Sequence, residues 1–272
     1  MNRVRTALIC VVIAFMASLA LARIHPFGDA CLYASKSAGV PVLNDAQVPP
    51  DVRRIFVEKC ADCHSNRTRT PFYGHFAPVS WLMERDIVEA RKAMNFSQWD
   101  TYSADQQQTL ASKIVQKTRS NEMAPLQYRL IHWNARIVDA DQRILGHWAH
   151  GPEAKRVIAT VTGEGEAGRG KVLFEKRCSG CHALTQNKEG PQLQGVYGRT
   201  SGTTAGFDYS AALKKTQVVW DEKSLDKWLT DPDAFIPGNN MDFLVSNPQE
   251  RLDLICYLKL SSGKQEAQCF SF

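Results

Sequence analysis

Apolar residues recur every three or four positions along most of this chain, which is the spacing of helices that bury one face. In the first half this period predicts helices from Pro50 to Cys60, from Ser80 to Met94, from Ser103 or Asp105 to Lys117, and from Asp139 to Ala149. No stretch alternates apolar and polar residues for long enough to predict a β-strand. The pattern therefore predicts an all-α fold.

The second half repeats the helical pattern after a stretch rich in glycine and glutamate. Residues 151–166 are predicted to be a linker, and helices are predicted from Ala167 to Cys178, Tyr209 to Lys214, Ser224 to Thr230, and Asn247 or Pro248 to Leu258. A chain of 272 residues is long enough for two domains. We therefore predict two small domains in tandem, at residues 23–150 and 167–272.

Residues 1–22 have the pattern of a targeting segment. Arg3 and Arg5 precede an apolar run from Ala7 to Leu21, and Ala20-Leu21-Ala22 offers small residues for cleavage. The run is close to the length of a membrane span, so a signal peptide and an uncleaved signal anchor are both open. In either case the rest of the chain is predicted to be exported to the periplasm, and an anchor would tether it to the inner membrane.

The formal net charge of +5 is unevenly distributed. Residues 160–272 contain 13 basic and 14 acidic side chains, so the positive excess lies in the first half. Segments that bind nucleic acid combine long basic runs with aromatic residues, and this chain has no such run. The charge therefore gives no indication of a nucleic acid partner.

One short motif with clear chemistry occurs twice. Cys60-Ala61-Asp62-Cys63-His64 and Cys178-Ser179-Gly180-Cys181-His182 each place a histidine directly after a C-x-x-C pair, the attachment pattern of a c-type haem. Both thiols face the same way on one helical turn, where each can form a thioether to a haem vinyl group. Zinc ribbons keep their two pairs within roughly 15–20 residues, which does not fit. We predict two covalently bound haem c groups, with His64 and His182 as iron ligands.

The second domain also offers a ligand for the other face of its iron. A methionine thioether is a soft, neutral ligand that raises the potential of haem iron. Met241 is the only methionine of this domain, and it follows the loop Ile236-Pro237-Gly238, which can hold the sulfur without the constraints of a helix. Met241 is therefore predicted to be the second axial ligand of the iron that His182 binds.

Residues 163–262 resemble the mitochondrial-type cytochrome c family across nearly their whole length. The matching segments include Gly170–Phe174, Cys178–His182, Gly190–Leu193, Phe207–Ala212, Ile236–Gly238 and Met241. The resemblance implies the cytochrome c fold, in which the carbonyl of Pro191 accepts a hydrogen bond from the His182 imidazole. It further implies that Arg199, Tyr209 and Trp220 surround the haem propionates, and that Gly170 lets the first helix cross the last one at Tyr257.

The chain departs from that family on the face that meets redox partners. Asp233, Ala234 and Asn240 stand where lysines are expected. Docking to an acidic oxidase patch is therefore not expected, and neutral surface changes and a change of partner are both open. Leu213 replaces a polar residue of the haem pocket, which is expected to alter a buried water network.

Residues 50–150 resemble a bacterial haem-binding domain family found in exported cytochromes. The matching segments are Cys60–Asn66, Ala77–Trp81, Asn95–Trp99, Glu122–Pro125 and Tyr128. The loop at Glu122–Pro125 offers Met123 as the second ligand of the iron that His64 binds, with His75 and His132 as competitors. Met83 and Met94 lie at helical positions that suit the core.

Cys31, Cys256 and Cys269 lie outside the two motifs and the targeting segment. In an oxidising compartment, exposed Cys31 and Cys269 would tend to pair. A bridge between Cys256 and Cys269 is the competing pairing, and the sequence leaves both open.

Together these features predict a dihaem c-type cytochrome that carries electrons between redox partner proteins. A dihaem peroxidase is the enzymatic alternative, but it needs one iron with an open distal side, and each domain here offers a methionine. A third interpretation is the electron-accepting haem subunit of a dehydrogenase complex.

Overall fold

The computed structural model describes residues 3–32, 43, 48–150, 164–263 and 269, and the chain divides into two compact units. The first unit comprises Met1–Thr101 and Gln127–Arg136, and the second comprises Tyr102–Leu126 and Ile137–Phe272. The division into domains at residues 23–150 and 167–272 stays a prediction, and most of the predicted linker lies outside the described residues.

The described residues form helices and loops, with no β-strand among them. The one isolated bridge that these residues contain joins Thr200 to Val219. The all-α prediction is therefore confirmed. The helices of the first unit are α1 (Arg3–Leu21), α2 (Pro50–Lys59), α3 (Ala61–His64), α4 (Val79–Ala93) and all but the first residue of α6 (Leu126–Ile131).

Helix α2 shows how local sequence sets an element of the first unit. Pro50 occupies the first helical position, where its missing N–H costs nothing, and the Asp51 carboxylate complements the positive end of the helix dipole. The helix buries Val52, Ile55 and Phe56, and Phe56 stacks on Phe96 with ring centroids 4.5 Å apart. Helix α2 ends directly before the first C-x-x-C-H motif and so presents that motif from a packed helix.

Helix α4 does not begin at Ser80, the predicted start, where this serine would have served as its cap. The helix begins at Val79 after Pro78, and Ser80 lies inside it, fully buried, so it does not cap the helix. The prediction was wrong because serine suits a cap but equally tolerates the first turn, where Pro78 already ends the preceding loop. Met83 packs against a cluster of Ala30, Leu32 and Ile87, as predicted for a core residue.

The second unit contains seven helices among its described residues and a π-helical turn at Phe174–Cys178. The helices are α5 (Ala104–Arg119), α7 (Asp139–His150), α8 (Ala167–Leu173), α9 (Ala211–Thr216), α10 (Glu222–Thr230), α11 (Pro232–Phe235) and α12 (Pro248–Ser261). The core combines Leu225, Trp228 and Leu229 of α10 with Leu254, Ile255 and Leu258 of α12, and with Phe174 and Trp220.

Polar caps begin most of these helices. Ser103 forms a capping box with Gln106 at the start of α5, and the Asn247 side chain caps α12, so in each helix one of the two predicted starts is confirmed. The predicted start of α10 at Ser224 was wrong, because Asp221 is the cap and Ser224 is its partner in the capping box. Helix α9 likewise begins at Ala211, two residues after the predicted Tyr209.

Gly170 allows α8 to cross α12 at close range. A Cβ atom at this position would lie 1.9 Å from the carbonyl oxygen of Asp253 and 2.8 Å from Cβ of Tyr257. The predicted need for glycine at the crossing is therefore confirmed. Arg169 adds an ion pair with the buried Asp253 carboxylate, at 2.7 Å.

Two of the three cysteines that lie outside the motifs and the targeting segment pair within the second unit. A disulfide joins Cys256 of α12 to Cys269, with the two Cα atoms 5.3 Å apart, and Cys31 is free and exposed. Of the two pairings that the sequence left open, the structure contains Cys256–Cys269, and this bond excludes the pairing of Cys31 with Cys269.

Candidate haem-binding sites

The second C-x-x-C-H motif follows the π-helical turn and forms a tight loop. The amides of Cys181 and His182 both donate to the carbonyl oxygen of Cys178, at 3.0 and 2.8 Å. Burial raises the pKa of the Cys178 thiol to about 12 and that of Cys181 to about 11. Both sulfurs are therefore neutral thiols at physiological pH, on half-buried residues that line one cavity.

The His182 imidazole is held in one orientation. Its Nδ1 lies 2.8 Å from the carbonyl oxygen of Pro191, which can only accept, so Nδ1 carries the proton. Nε2 then keeps its lone pair for a metal. Burial lowers the pKa of His182, which favours the neutral ring that a metal requires. The hydrogen bond implied by the family resemblance is therefore present.

The predicted residues of the second site surround one cavity of about 780 Å³. Its size lies within the range of pockets that hold cofactors. All the residues predicted for this site line it: Cys178, Cys181, His182, Pro191, Arg199, Tyr209, Trp220 and Met241. Leu213, the departure from the family's polar residue, also lines the cavity and is buried in the core.

Met241 reaches this cavity from the loop between α11 and α12. Its backbone amide donates to the side-chain oxygen of Asn239 at 2.7 Å, and the indole N–H of Trp228 donates to its sulfur at 3.1 Å. Asn239 is fully buried, and its side-chain nitrogen Nδ2 donates to the backbone carbonyls of Pro232 and Ile236. The sulfur is thus presented by a loop whose backbone is fixed by hydrogen bonds.

Arg199 and Trp220 occupy one wall through backbone pairing. The amide of Trp220 donates to the carbonyl of Arg199 at 2.9 Å, and the Arg199 guanidinium donates to the carbonyl of Gln192 at 2.9 Å. Burial lowers the pKa of Arg199, although its side chain stays cationic at neutral pH. A cation in a partly buried position is a suitable partner for a propionate carboxylate.

Part of the cavity wall comes from a helix that the sequence did not link to this site. Helix α5 contributes Ser112, Gln116 and Lys117, and the loop after it contributes Ser120 and Glu122. Their only sequence signal is indirect: Asp233, which stands where a lysine was expected, is an ion-pair partner of Arg119 at the end of α5.

The first C-x-x-C-H motif, in the first unit, has the same local geometry. The amides of Cys63 and His64 donate to the carbonyl of Cys60, at 3.2 and 3.0 Å. Nδ1 of His64 lies 3.1 Å from the carbonyl oxygen of Met94, so this ring also keeps Nε2 for a metal. Burial lowers the pKa of His64 and raises that of Cys63 to about 11.

The candidates for the second ligand of the first iron differ in their surroundings. His132 forms a short hydrogen bond with the Tyr73 hydroxyl and stacks on Tyr128, with ring centroids 4.2 Å apart. His75 ends a 3₁₀ turn at Phe72–His75. Met123 is 40 % exposed and lies in the second unit. The assignment of Met123 stays a prediction.

In both sites the thiols and the imidazole are the groups that a covalently attached haem requires. Each offers two thiols and one neutral imidazole whose tautomer is fixed by a backbone carbonyl. In the second site, Gly190 is required beside the ring, because a Cβ atom there would lie 2.2 Å from Cε1 of His182. These features define the class of c-type haem proteins.

Comparisons with known proteins agree with this class. Residues 29–151 match the family model described as a haem-binding domain, and residues 167–262 match the cytochrome c family model. Cytochrome c of Guizotia abyssinica is 44 % identical over 103 residues, which cover 36 % of this chain and 93 % of that protein. Cytochrome c of Euglena viridis is 47 % identical over 98 residues, which cover 35 % and 96 %.

Among solved structures, cytochrome cH from Methylobacterium extorquens is 40 % identical and covers 35 % of this chain and 99 % of that one, with a TM-score of 0.34. Through its C-terminal domain, the chain belongs to the cytochrome c family. Haem-based electron transfer is the activity that this family assignment gives it.

Proposed function

We propose that this chain is an exported electron carrier with two covalently bound haem c groups, and that it is not an enzyme. One haem is attached through Cys60 and Cys63, and the other through Cys178 and Cys181. His64 and His182 ligate the two irons. The proposal is supported most directly by the second cavity, where both thiols, His182 and Met241 line one space.

The residues of the second site set the conditions for electron transfer. Bound haem iron accepts and releases one electron. The fixed N–H of His182 directs its other nitrogen to the metal, and the neutral sulfur of Met241 favours the reduced state. The surrounding apolar side chains exclude water, which further favours the less charged state.

At the first site we propose Met123 as the second iron ligand. Its thioether would favour ferrous iron, as proposed for Met241 in the second site. His132 is a weaker candidate because it already forms a hydrogen bond with Tyr73 and stacks on Tyr128. Met123→Ala should remove the sulfur-to-iron absorption of this haem in the near infrared. If the spectrum is unchanged in Met123→Ala but altered in His132→Gln, the second ligand of this iron is His132 instead.

We propose that the haem domains lie in the periplasm and that α1 is retained as an inner-membrane tether. Within the described residues, α1 is the one helix long and apolar enough to cross a membrane, and its side chains are not buried in the protein. Its end is joined to the folded unit: the Ser18 hydroxyl donates to the carbonyl of Ala77, and the Trp81 indole to that of Leu21. N-terminal sequencing of the mature protein distinguishes this from cleavage after Ala22.

The proposed partners are redox proteins, and peroxide is not a substrate. If His182 and Met241 both held the second iron, peroxide could bind there only after one of these residues had been displaced. Stopped-flow mixing with hydrogen peroxide and a reduced small cytochrome should therefore give slow, non-saturating oxidation, in the oxidised and in the half-reduced protein. Turnover at about 1–1000 per second would identify a peroxidase.

Covalent haem content tests the proposal first. Mass spectrometry of the denatured, acid-acetone-extracted protein should show two haem additions per chain. His182→Ala should keep both additions, because the thioethers hold the group, whereas a double Cys178→Ser, Cys181→Ser variant should keep only one. A single addition in the unmodified chain would remove the dihaem assignment.

A further inference from the structure

Helix α5 lies directly against the second haem-attachment motif. A Cβ atom at Gly180, between the two cysteines, would lie 3.0 Å from Cγ2 of Thr109 on α5. Lys113 of the same helix pairs with Glu189 at 3.0 Å, beside the Gly190–Pro191 segment that orients His182. The helix thus contacts both the attachment motif and the loop that supports the histidine ligand.

The last residue of α5 contacts the loop on the methionine side. The Arg119 guanidinium forms two parallel hydrogen bonds with the Asp233 carboxylate, at 2.9 and 2.8 Å. It also donates to the carbonyl of Asn239 and to the carboxylate of Asp242, each at 3.2 Å. One side chain therefore joins three points that flank Met241 on both sides.

Two of these partners are buried groups that need a cation or a donor. The Asp242 side chain is 1 % exposed, and its carboxylate faces Arg119 and, at 3.2 Å, His150 at the end of α7. A buried carboxylate without a cation is strongly destabilised. The side-chain oxygen of Asn239 accepts a hydrogen bond from the Met241 amide, and the backbone carbonyl of Asn239 accepts one from Arg119. Loss of Arg119 would weaken both supports at once.

We infer that Arg119 is a positioning residue for the Met241 sulfur, an inference that rests on the proposed role of Met241 as an iron ligand. The planar guanidinium suits this role because it binds a carboxylate through two bonds and still has donors for a third and fourth group. The acids at positions 233 and 242 are then internal partners of α5. This gives a structural reason for Asp233 at a position where the family resemblance predicts lysine.

The consequence is measurable as the rate at which Met241 leaves the ferric iron. Imidazole binds a six-coordinate ferric haem only after the sulfur has dissociated, so its limiting rate at saturation reports that step. The second haem is identified by the signals that disappear in Met241→Ala. Arg119→Ala should raise the limiting rate at this haem about tenfold, the factor that about 1.4 kcal/mol produces. Asp233→Asn should also raise this limiting rate.

Further variants separate positioning from general helix packing. Arg119→Lys keeps the charge but cannot form the two parallel hydrogen bonds, so its limiting rate of imidazole binding should lie between those of the unmodified chain and Arg119→Ala. If Arg119→Ala does not fold, Arg119→Lys is used in its place. Asp105→Asn is the matched control, because it breaks the 2.9 Å ion pair of α5 with Arg177, away from the methionine loop. Its rate should equal that of the unmodified chain.

The outcomes separate this inference from the proposed ligand. Unchanged rates in Arg119→Ala and Asp233→Asn would overturn the role of Arg119, as would an equal increase in Asp105→Asn. A near-infrared band that persists in Met241→Ala would instead overturn the ligand assignment, whatever the effect of Arg119.

Discussion

Gly190 lies so close to His182 that a Cβ atom at position 190 would stand 2.2 Å from Cε1 of the imidazole and 2.6 Å from Nδ1. Gly190→Ala must therefore displace the ring or the loop that carries Pro191. We expect a lower thermal midpoint and an altered absorption spectrum of the second haem.

The matched control is Gly146→Ala on α7, where nothing lies within 4 Å of the added methyl group. Alanine there should leave the spectrum unchanged and be neutral or stabilising by up to about 1 kcal/mol. If Gly190→Ala matches this control in both spectrum and stability, the close support of His182 is disproved.

Because α8 and α12 cross closely at Gly170, replacing this glycine by alanine should destabilise the protein, whereas the same change at Gly168 should not. Gly170→Ala places a methyl group 1.9 Å from the Asp253 carbonyl, so the helices must separate. We expect a loss of at least about 2 kcal/mol in the free energy of unfolding, measured by denaturant titration. Gly168→Ala meets only the flexible end of Glu166, at 3.2 Å, and should not destabilise the protein. Equal stabilities of the two variants would contradict the crossing geometry.

Met241→Ala should abolish the near-infrared sulfur-to-iron band of the second haem and lower its reduction potential, because a neutral thioether favours ferrous iron. Absorption spectroscopy and a redox titration measure both effects. Met83→Leu is the control, since Met83 packs in the core of the first unit and has no proposed ligand role. A band that survives in Met241→Ala would assign the ligand elsewhere.

The disulfide between Cys256 and Cys269 should stabilise the second unit. Closing a loop of this size contributes about 3 kcal/mol in the chain-entropy account. We expect Cys269→Ser to lose about 2–3 kcal/mol in the free energy of unfolding and to become insensitive to reductant. Cys31→Ser should have no such effect, because Cys31 is free and exposed. Non-reducing peptide mapping that links Cys31 to Cys269 would refute this pairing.

The parts of the structure that could be predicted from the sequence depend on residues close together in the chain. The attachment motifs encode their chemistry within five residues, and Ser103 and Asn247 start helices through hydrogen bonds to nearby amides. The errors at Ser80 and Ser224 have one cause. Serine suits both a cap and the first turn of a helix, so its presence does not fix the starting residue.

The contact between α5 and the second haem cavity was not predicted. Arg119 and Asp233 are 114 positions apart, and a charged pair at that separation leaves no periodic pattern along the chain. The departure from lysine at Asp233 indicated a change at this face but not its partner. The partner is found only when the long-range packing of α5 is known.

We propose that two haems, each held by a histidine and a methionine, carry electrons in this chain. A redox titration of the purified protein with optical and EPR detection tests it most directly. We expect two one-electron couples, with low-spin ferric signals from both irons and no high-spin signal in the oxidised or half-reduced protein. A single couple, or a high-spin iron that appears when one haem is reduced, would contradict it.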